Sequence, residues 1–169
     1  MASPATALPS GSVRRRPPGG GEPAGVQGRF AASWERNGGR AVERFRLPAG
    51  PSSVTVARSR ARTVLAGWNV PAATVENAAL IVSELATNVL VHTGSDAFVC
   101  ELRDGEERLH VEVTDRYQGN MTPRVRESGP DEENGRGLAI IQALSTAWGV
   151  ADTPDGRGQA VWAVLPRHP

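Results

Sequence analysis

The apolar and polar positions divide the chain into a long aperiodic beginning and a periodic remainder. Regular alternation first appears over residues 42–47, as in a strand, and stops at Pro48. Residues 51–67 then carry apolar side chains at helical spacing up to Gly67, and a longer pattern of the same kind starts at Pro71 and ends near His92. The pattern predicts one strand followed by two helices.

The second half predicts two hairpins with a helix between them. Strands over residues 97–102 and 108–115 flank an Asp104-Gly105 turn, an apolar helix covers residues 138–147, and strands over 148–151 and 159–165 close the domain. In the second of these strands every other residue shares a face. Leu109, Val111, Val113 and Asp115 point one way, and His110, Glu112 and Thr114 point the other.

Residues 116–134 interrupt this pattern with a polar stretch that contains Gly and Pro and shows no periodicity. Such a stretch is too long for an ordinary connection between elements, which run to about six residues, and long connections of this kind are often functional. We therefore expect a lid over a functional site.

Composition and charge separate a tail from a single domain. The chain has 169 residues, which suffices for one ordinary domain. Residues 1–46 contain eight Arg and three Glu, a formal charge of +5, whereas the remainder carries −4, and the chain has no Lys. Because residues 1–40 are rich in Arg, Gly and Pro and poor in large apolar side chains, we expect them to be disordered, with the domain over residues 41–169.

Several features suggest little on their own. The run Arg14-Arg15-Arg16 is either a nucleic-acid contact or a solvated charge run, and the acidic domain favours the solvated run and argues against specific nucleic-acid binding. Arg58, Arg60 and Arg62 are better explained as a solvated helix face than as a phosphate or partner site. Lone Cys100 has no partner for an internal disulfide, and no secretory or membrane-spanning run is evident, so we expect a cytoplasmic protein without a membrane role.

The chemistry-bearing residues start with Glu84 and Asn88. They lie four residues apart, so they share one face of the long helix beside a buried apolar stripe. A carboxylate and a carboxamide placed there need partners, which a satisfied core network or a bound metal with a phosphate ligand would supply.

Two further positions extend this candidate site. Asp115 takes a place in the inward row where the pattern requires an apolar residue, and it either caps the strand or accepts a hydrogen bond from an exocyclic amine such as that of adenine. Gly135-Arg136-Gly137 precedes a helix, where backbone N–H groups and an Arg favour a bound anion. The alternative is a plain helix start that contains glycine and binds nothing.

Taken together, these motifs resemble those of the GHKL (Bergerat-fold) ATPases over about residues 41–166. Residues 84–88, Glu-Leu-Ala-Thr-Asn, match the N-box of that superfamily, and residues 134–138, Asn-Gly-Arg-Gly-Leu, match its second glycine box. Ser83-Glu84-Leu85 and residues 147–150 are similar to the short anti-sigma-factor serine kinases, especially the actinobacterial ones. The resemblance implies an α+β two-layer sandwich in which a mixed, mostly antiparallel sheet packs on helices.

The resemblance also implies a role for each matching residue. Glu84 would be the general base and Asn88 would ligate Mg²⁺ bridging the ATP phosphates. Asp115 would bind the adenine amine. The remaining nucleotide contacts would come from the glycine boxes, namely Gly119, Gly135, Arg136, Gly137 and Leu138.

The function implied by the resemblance is that of an ATP-dependent protein serine/threonine kinase that controls transcription by partner switching. Its partner would be a sigma factor or an anti-sigma-factor antagonist, and a homodimer is possible. Two departures from the family pattern favour an alternative, a nucleotide-gated binding module without catalysis. Tyr117 replaces the glycine of the usual Asp-x-Gly, and Ala160 stands where the pattern has a hydroxyl residue.

Overall fold

The computed structural model describes residues 39–116, 133–153 and 155–168. Both the predicted tail, except for its last two residues, and most of the predicted lid fall outside these ranges, so the expected disorder and the lid stay predictions. The described elements are β1 (Ala41–Pro48), α1 (Pro51–Gly67), α2 (Ala72–His92), β2 (Ala97–Asp104), β3 (Arg108–Arg116), α3 (Glu133–Leu144), β4 (Ala147–Asp152) and β5 (Gln159–Pro166).

The five strands form one sheet in the order β1-β2-β3-β5-β4, and all four pairings among them are antiparallel. Directly paired residues project to the same face, so one row runs from Phe45 through Cys100 and Val113 to Val161. This inner face packs on the helices, with α2 lying against the central strands. The α+β two-layer fold predicted from the sequence is confirmed.

The core forms where the apolar stripe of α2 meets the inner face of the sheet. Ile81, Val82 and Leu85 have no exposed surface, and neither do Phe98 and Val111 on the strands that they cover. Each large side chain removed from water in this way contributes about 1.5–3 kcal/mol before entropy is counted. By length and composition Ala72–Val91 of α2 would suffice to cross a membrane, but half of that span is buried inside the fold, as in a core helix.

The start of α3 differs from the sequence prediction. The helix covers Glu133–Leu144 and not residues 138–147, so Gly135 and Gly137 lie inside its first two turns. Glycine disfavours a helix interior by about 1 kcal/mol, which is why the pattern indicated a loop. Packing of α3 on α2 outweighs this local preference.

Asp104 also differs from its predicted place in a hairpin turn. It is the last residue of β2 and is 2% exposed, and its carboxylate accepts a hydrogen bond from Nε of Arg167 at 2.8 Å. The same guanidinium donates to the carbonyl oxygen of Trp68, at the end of α1. This buried ion pair fastens the C-terminal end of β5 to the helix layer.

Candidate functional site

Helix α2 presents Glu84 and Asn88 one turn apart on the same face, as the spacing predicts. Both side chains are partly exposed, whereas Leu85 and Ala86 between them are fully buried. The two polar groups therefore lie at the margin of the core, on a helix that the core holds rigidly. Such a position gives a reactive carboxylate a fixed backbone while it keeps access to solvent and ligands.

The start of α3 lies directly against Glu84. A Cβ added at Gly137 would lie 2.6 Å from Oε2 of Glu84, closer than these atoms can approach. Gly137 is buried, so its lack of a side chain is what gives the carboxylate room. The structure thus brings together the two motifs that the sequence separated by about fifty residues.

The same helix start supplies backbone donors. The first four N–H groups of an α-helix have no partner within the helix, and they favour an anion at its N-terminus. Gly135 and Arg136 belong to this first turn of α3, with Leu138 following in the second. The side chains of Arg136 and Leu138, like Gly119, lie outside what the structure describes, so their contacts with nucleotide stay predictions.

Asp115 stands at the end of the inner row of β3 and is 7% exposed. Its Oδ1 accepts a hydrogen bond from the backbone N–H of Gln159, the first residue of β5. Gly158 also lies against Asp115, since a Cβ added there would collide with Oδ1 and would lie 2.7 Å from the backbone oxygen of Asp115. Asp115 therefore fastens the start of β5, which is the capping role that its position at a strand end allows.

This role does not preclude adenine binding. An ionised carboxylate accepts about four hydrogen bonds, so a backbone donor and an exocyclic amine can share it. Asp115 faces the same side of the sheet as α2, which carries Glu84. The predicted general base Glu84, the first turns of α3 with Gly135 and Gly137, and the predicted adenine contact Asp115 thus all lie on the helix side of the sheet.

The register changes the significance of Ala160. It pairs with Thr114, so its side chain projects to the outer face, away from Asp115. A hydroxyl at residue 160 would therefore not face the candidate pocket, and this departure loses its force as an argument against nucleotide binding. The residue that sequence reasoning missed is Gln159, since alternation from the inner-row Val161 would have placed it beside Asp115.

The described residues fit a magnesium nucleotide. Asn88 offers a carboxamide oxygen, and a Mg²⁺ ion held mainly by substrate phosphates needs only one or two protein oxygens. Within the described ranges no group of three His, Cys, Asp or Glu side chains is arranged to hold a metal ion by itself. Mg²⁺ at this position would depend on nucleotide for the rest of its ligands.

Comparison with known proteins identifies the family of the folded domain. A model of the histidine kinase-like ATPase domain matches residues 47–165. The chain belongs to this family of ATP-binding domains, and the resemblance to GHKL ATPases is confirmed. No curated protein matches the chain by sequence.

Two solved structures are similar to this chain at low sequence identity, and the first of them shares its fold. The crystal structure of the RsbU and RsbW domains of Rv1364c from Mycobacterium tuberculosis is 18% identical, with a TM-score of 0.52 over 74% of this chain. The chain spans about a third of that protein, 32% of its length. The SiaB–SiaC complex from Pseudomonas aeruginosa is 13% identical, covering 80% of this chain and 96% of that one with a TM-score of 0.45.

Proposed function

We propose that this protein is an ATP-dependent protein serine/threonine kinase of the anti-sigma-factor type, acting in the cytoplasm. It would transfer the γ-phosphate of ATP to a protein partner, an anti-sigma-factor antagonist, and thereby control a sigma factor by partner switching. The observation that carries the proposal is the placement of the Glu84 carboxylate against Gly137, near the start of α3. That placement sets a partly exposed carboxylate beside a helix start suited to phosphate.

In this proposal Glu84 removes the proton from a serine or threonine hydroxyl of the partner. The hydroxyl oxygen forms a bond to the γ-phosphorus while the bond from that phosphorus to the bridging oxygen breaks, which releases ADP. Mg²⁺, when bound, neutralises charge on the phosphates. The N–H groups of the first turn of α3 orient the same phosphates, and Asp115 orients the adenine ring of ATP. The chain therefore contributes mainly position and charge.

The test is phosphorylation of a cognate antagonist by the full chain with Mg-ATP. We expect phosphoserine or phosphothreonine with the wild type and none above background with Glu84→Ala. Phosphorylation that persists in Glu84→Ala would show that another group is the base. Partner binding that requires nucleotide but forms no ADP, and that Glu84→Gln leaves unchanged, would instead indicate a nucleotide-gated binding module.

A further inference from the structure

Gln159 is a polar residue at the start of the otherwise apolar inner row of β5. Val161, Ala163 and Leu165 follow it at alternate positions, and all three belong to the core or pack against it on the helix side. Gln159 pairs with Asp152 on β4, so these two side chains project to the helix side as well. The inner row of β5 therefore begins with a carboxamide where the rest of the row is hydrocarbon.

Asp115 lies next to Gln159 across β3 and β5. The pairing of these strands extends to Thr114 and Ala160, so Asp115 and Gln159 are the next residues on the two strands. The backbone N–H of Gln159 donates to Oδ1 of Asp115, which fixes the two backbones against each other. A carboxylate acceptor and a carboxamide thus stand on neighbouring strands, about 5 Å apart, at the end of the sheet where we propose that adenine binds.

The contact of Gln159 with Asp152 orients the carboxamide. Its Nε2 donates to Oδ1 of Asp152 at 3.4 Å, a long hydrogen bond compared with the usual distance of about 2.9–3.0 Å. An ionised carboxylate accepts from the nitrogen of the amide and repels its oxygen, so Asp152 favours one of the two orientations of the amide. The nitrogen carries two N–H groups, so one can bind Asp152 and the other a ligand.

We propose that Gln159 is a specificity-determining residue for the base of the nucleotide, donating a hydrogen bond to N1 of adenine beside Asp115. This inference rests on the proposed function, since it assigns a residue to the adenine end of the ATP site. Adenine presents an N6 donor next to an N1 acceptor, and the two side chains present an acceptor next to a donor. Guanine has the opposite order, an oxygen at position 6 and an N–H at position 1, so both of its groups would be mismatched.

The test compares three bases by calorimetric titration of the full chain with Mg²⁺, each supplied as its uncleavable β,γ-methylene triphosphate. They are adenine, 1-deaza-adenine, which has C–H in place of N1, and purine, which lacks the N6 amine. The variant is Gln159→Met, in which the side chain keeps its length but loses its hydrogen-bonding groups. Gln142→Met is the matched control, because Gln142 is exposed in the last turn of α3.

We expect the wild type to bind the 1-deaza form about three- to tenfold more weakly than the adenine form, since one neutral hydrogen bond is lost. Gln159→Met should bind the adenine form more weakly by a similar factor and should not distinguish it from the 1-deaza form. Its preference for the adenine form over the purine form should equal that of the wild type, because Asp115 still binds the amine. Gln142→Met should match the wild type with all three nucleotides.

A second readout needs no substitution. In the NMR spectrum of the wild type, the side-chain N–H₂ signal of Gln159 should shift downfield with the adenine form and not with the 1-deaza form. Equal shifts with the two nucleotides would overturn the assignment of this residue.

The binding results separate failure of this inference from failure of the proposed function. Equal binding of the adenine and 1-deaza forms by the wild type, or a preference that survives Gln159→Met, would overturn the role of Gln159 and leave the nucleotide site in place. Loss of the preference in Gln142→Met as well would also overturn it, because the effect would not be local. Failure of the wild type to bind the adenine form would refute the nucleotide site itself.

Discussion

The candidate site contains two carboxylates that each face a glycine, and the two pairs differ in what the glycine protects. At Gly137 an added Cβ would meet the carboxylate oxygen of Glu84, the far end of a flexible side chain. At Gly158 it would meet both the carboxylate and the backbone oxygen of Asp115, and Asp115 is bonded to the backbone of Gln159. The first pair keeps space for the carboxylate that we propose as general base, whereas the second holds two strands together.

The two carboxylates therefore have different expected roles, Glu84 in the reaction and Asp115 in holding the fold. Glu84 is partly exposed, as the general base that we propose must be in order to reach a substrate. Asp115 is buried and fixes the start of β5 as well as facing the helix side. Substitutions at the Glu84 pair should therefore change rate with little loss of stability. At the Asp115 pair, a substitution that breaks the contact with β5 should lower stability and affinity together, whereas one that keeps the hydrogen bond from Gln159 should lower affinity alone.

The largest effect is expected for Glu84→Gln. The amide keeps the shape of the carboxylate but cannot accept the proton, so phosphoryl transfer should fall by about 10²–10⁴-fold. The melting temperature should stay near that of the wild type. Glu76→Gln on the same helix, which loses only an exposed pair with Arg62, is the control and should retain full activity. Equal rates for Glu84→Gln and Glu76→Gln would remove Glu84 from the chemistry.

Gly158→Ala should be the most damaging change to the fold of the site. The new methyl group collides with backbone as well as side chain, and the strands must separate, at a cost of about 1–3 kcal/mol in the free energy of unfolding. Nucleotide affinity should fall with it. Gly50→Ala is the control, because a Cβ there has no neighbour within 4 Å. Chemical denaturation measures both, and equal stability of the two variants would show that β5 does not depend on this contact.

Asp115→Asn separates the two roles of Asp115. Its remaining carbonyl oxygen can still accept the hydrogen bond from Gln159, so stability should change by less than about 1 kcal/mol. One acceptor for the adenine amine is lost, and affinity for ATP should fall by about 1–3 kcal/mol, with reduced preference for ATP over GTP. Competition binding with the two nucleotides checks this. Retained preference would mean that Asp115 has only its strand-fastening role.

Gly137→Ala is expected to have the smallest effect, but it should change stability and transfer rate in opposite directions. Alanine in a helix interior is favoured over glycine by about 1 kcal/mol, so the unfolding free energy should hold or rise. The methyl group displaces the carboxylate of Glu84, and transfer should slow by about tenfold, since small misplacements of catalytic groups are costly. Loss of stability without loss of rate would show that Gly137 serves packing alone.

Sequence reasoning predicted the elements well because each carries its own local signal. The apolar spacing of α2 and the alternation of β3 persist in the fold almost residue for residue. Glu84 and Asn88 were predictable for the same reason, as a helix of known phase fixes which side chains share a face. The pairing of Glu84 with Gly137 followed from resemblance to a family and not from any local pattern.

The parts that local patterns missed depend on contacts between distant segments. The early start of α3 follows from packing against α2, which overrides the preference of Gly135 and Gly137 for a loop. Pairing of Ala160 with Thr114 sets the face that each occupies, and a motif read along one strand cannot show it. The ion pair between Arg167 and Asp104 likewise joins residues that are 63 positions apart in the sequence.

We propose that Glu84, Asn88 and Asp115 form one site for a magnesium nucleotide. The decisive experiment is calorimetric titration of the full chain with a non-hydrolysable ATP analogue, with and without Mg²⁺. The wild type should bind more tightly with Mg²⁺, and Asn88→Ala should bind weakly and equally in both conditions. Absence of analogue binding in the wild type would show that no such site exists, and a Mg²⁺ effect that survives Asn88→Ala would show that Asn88 does not hold the ion.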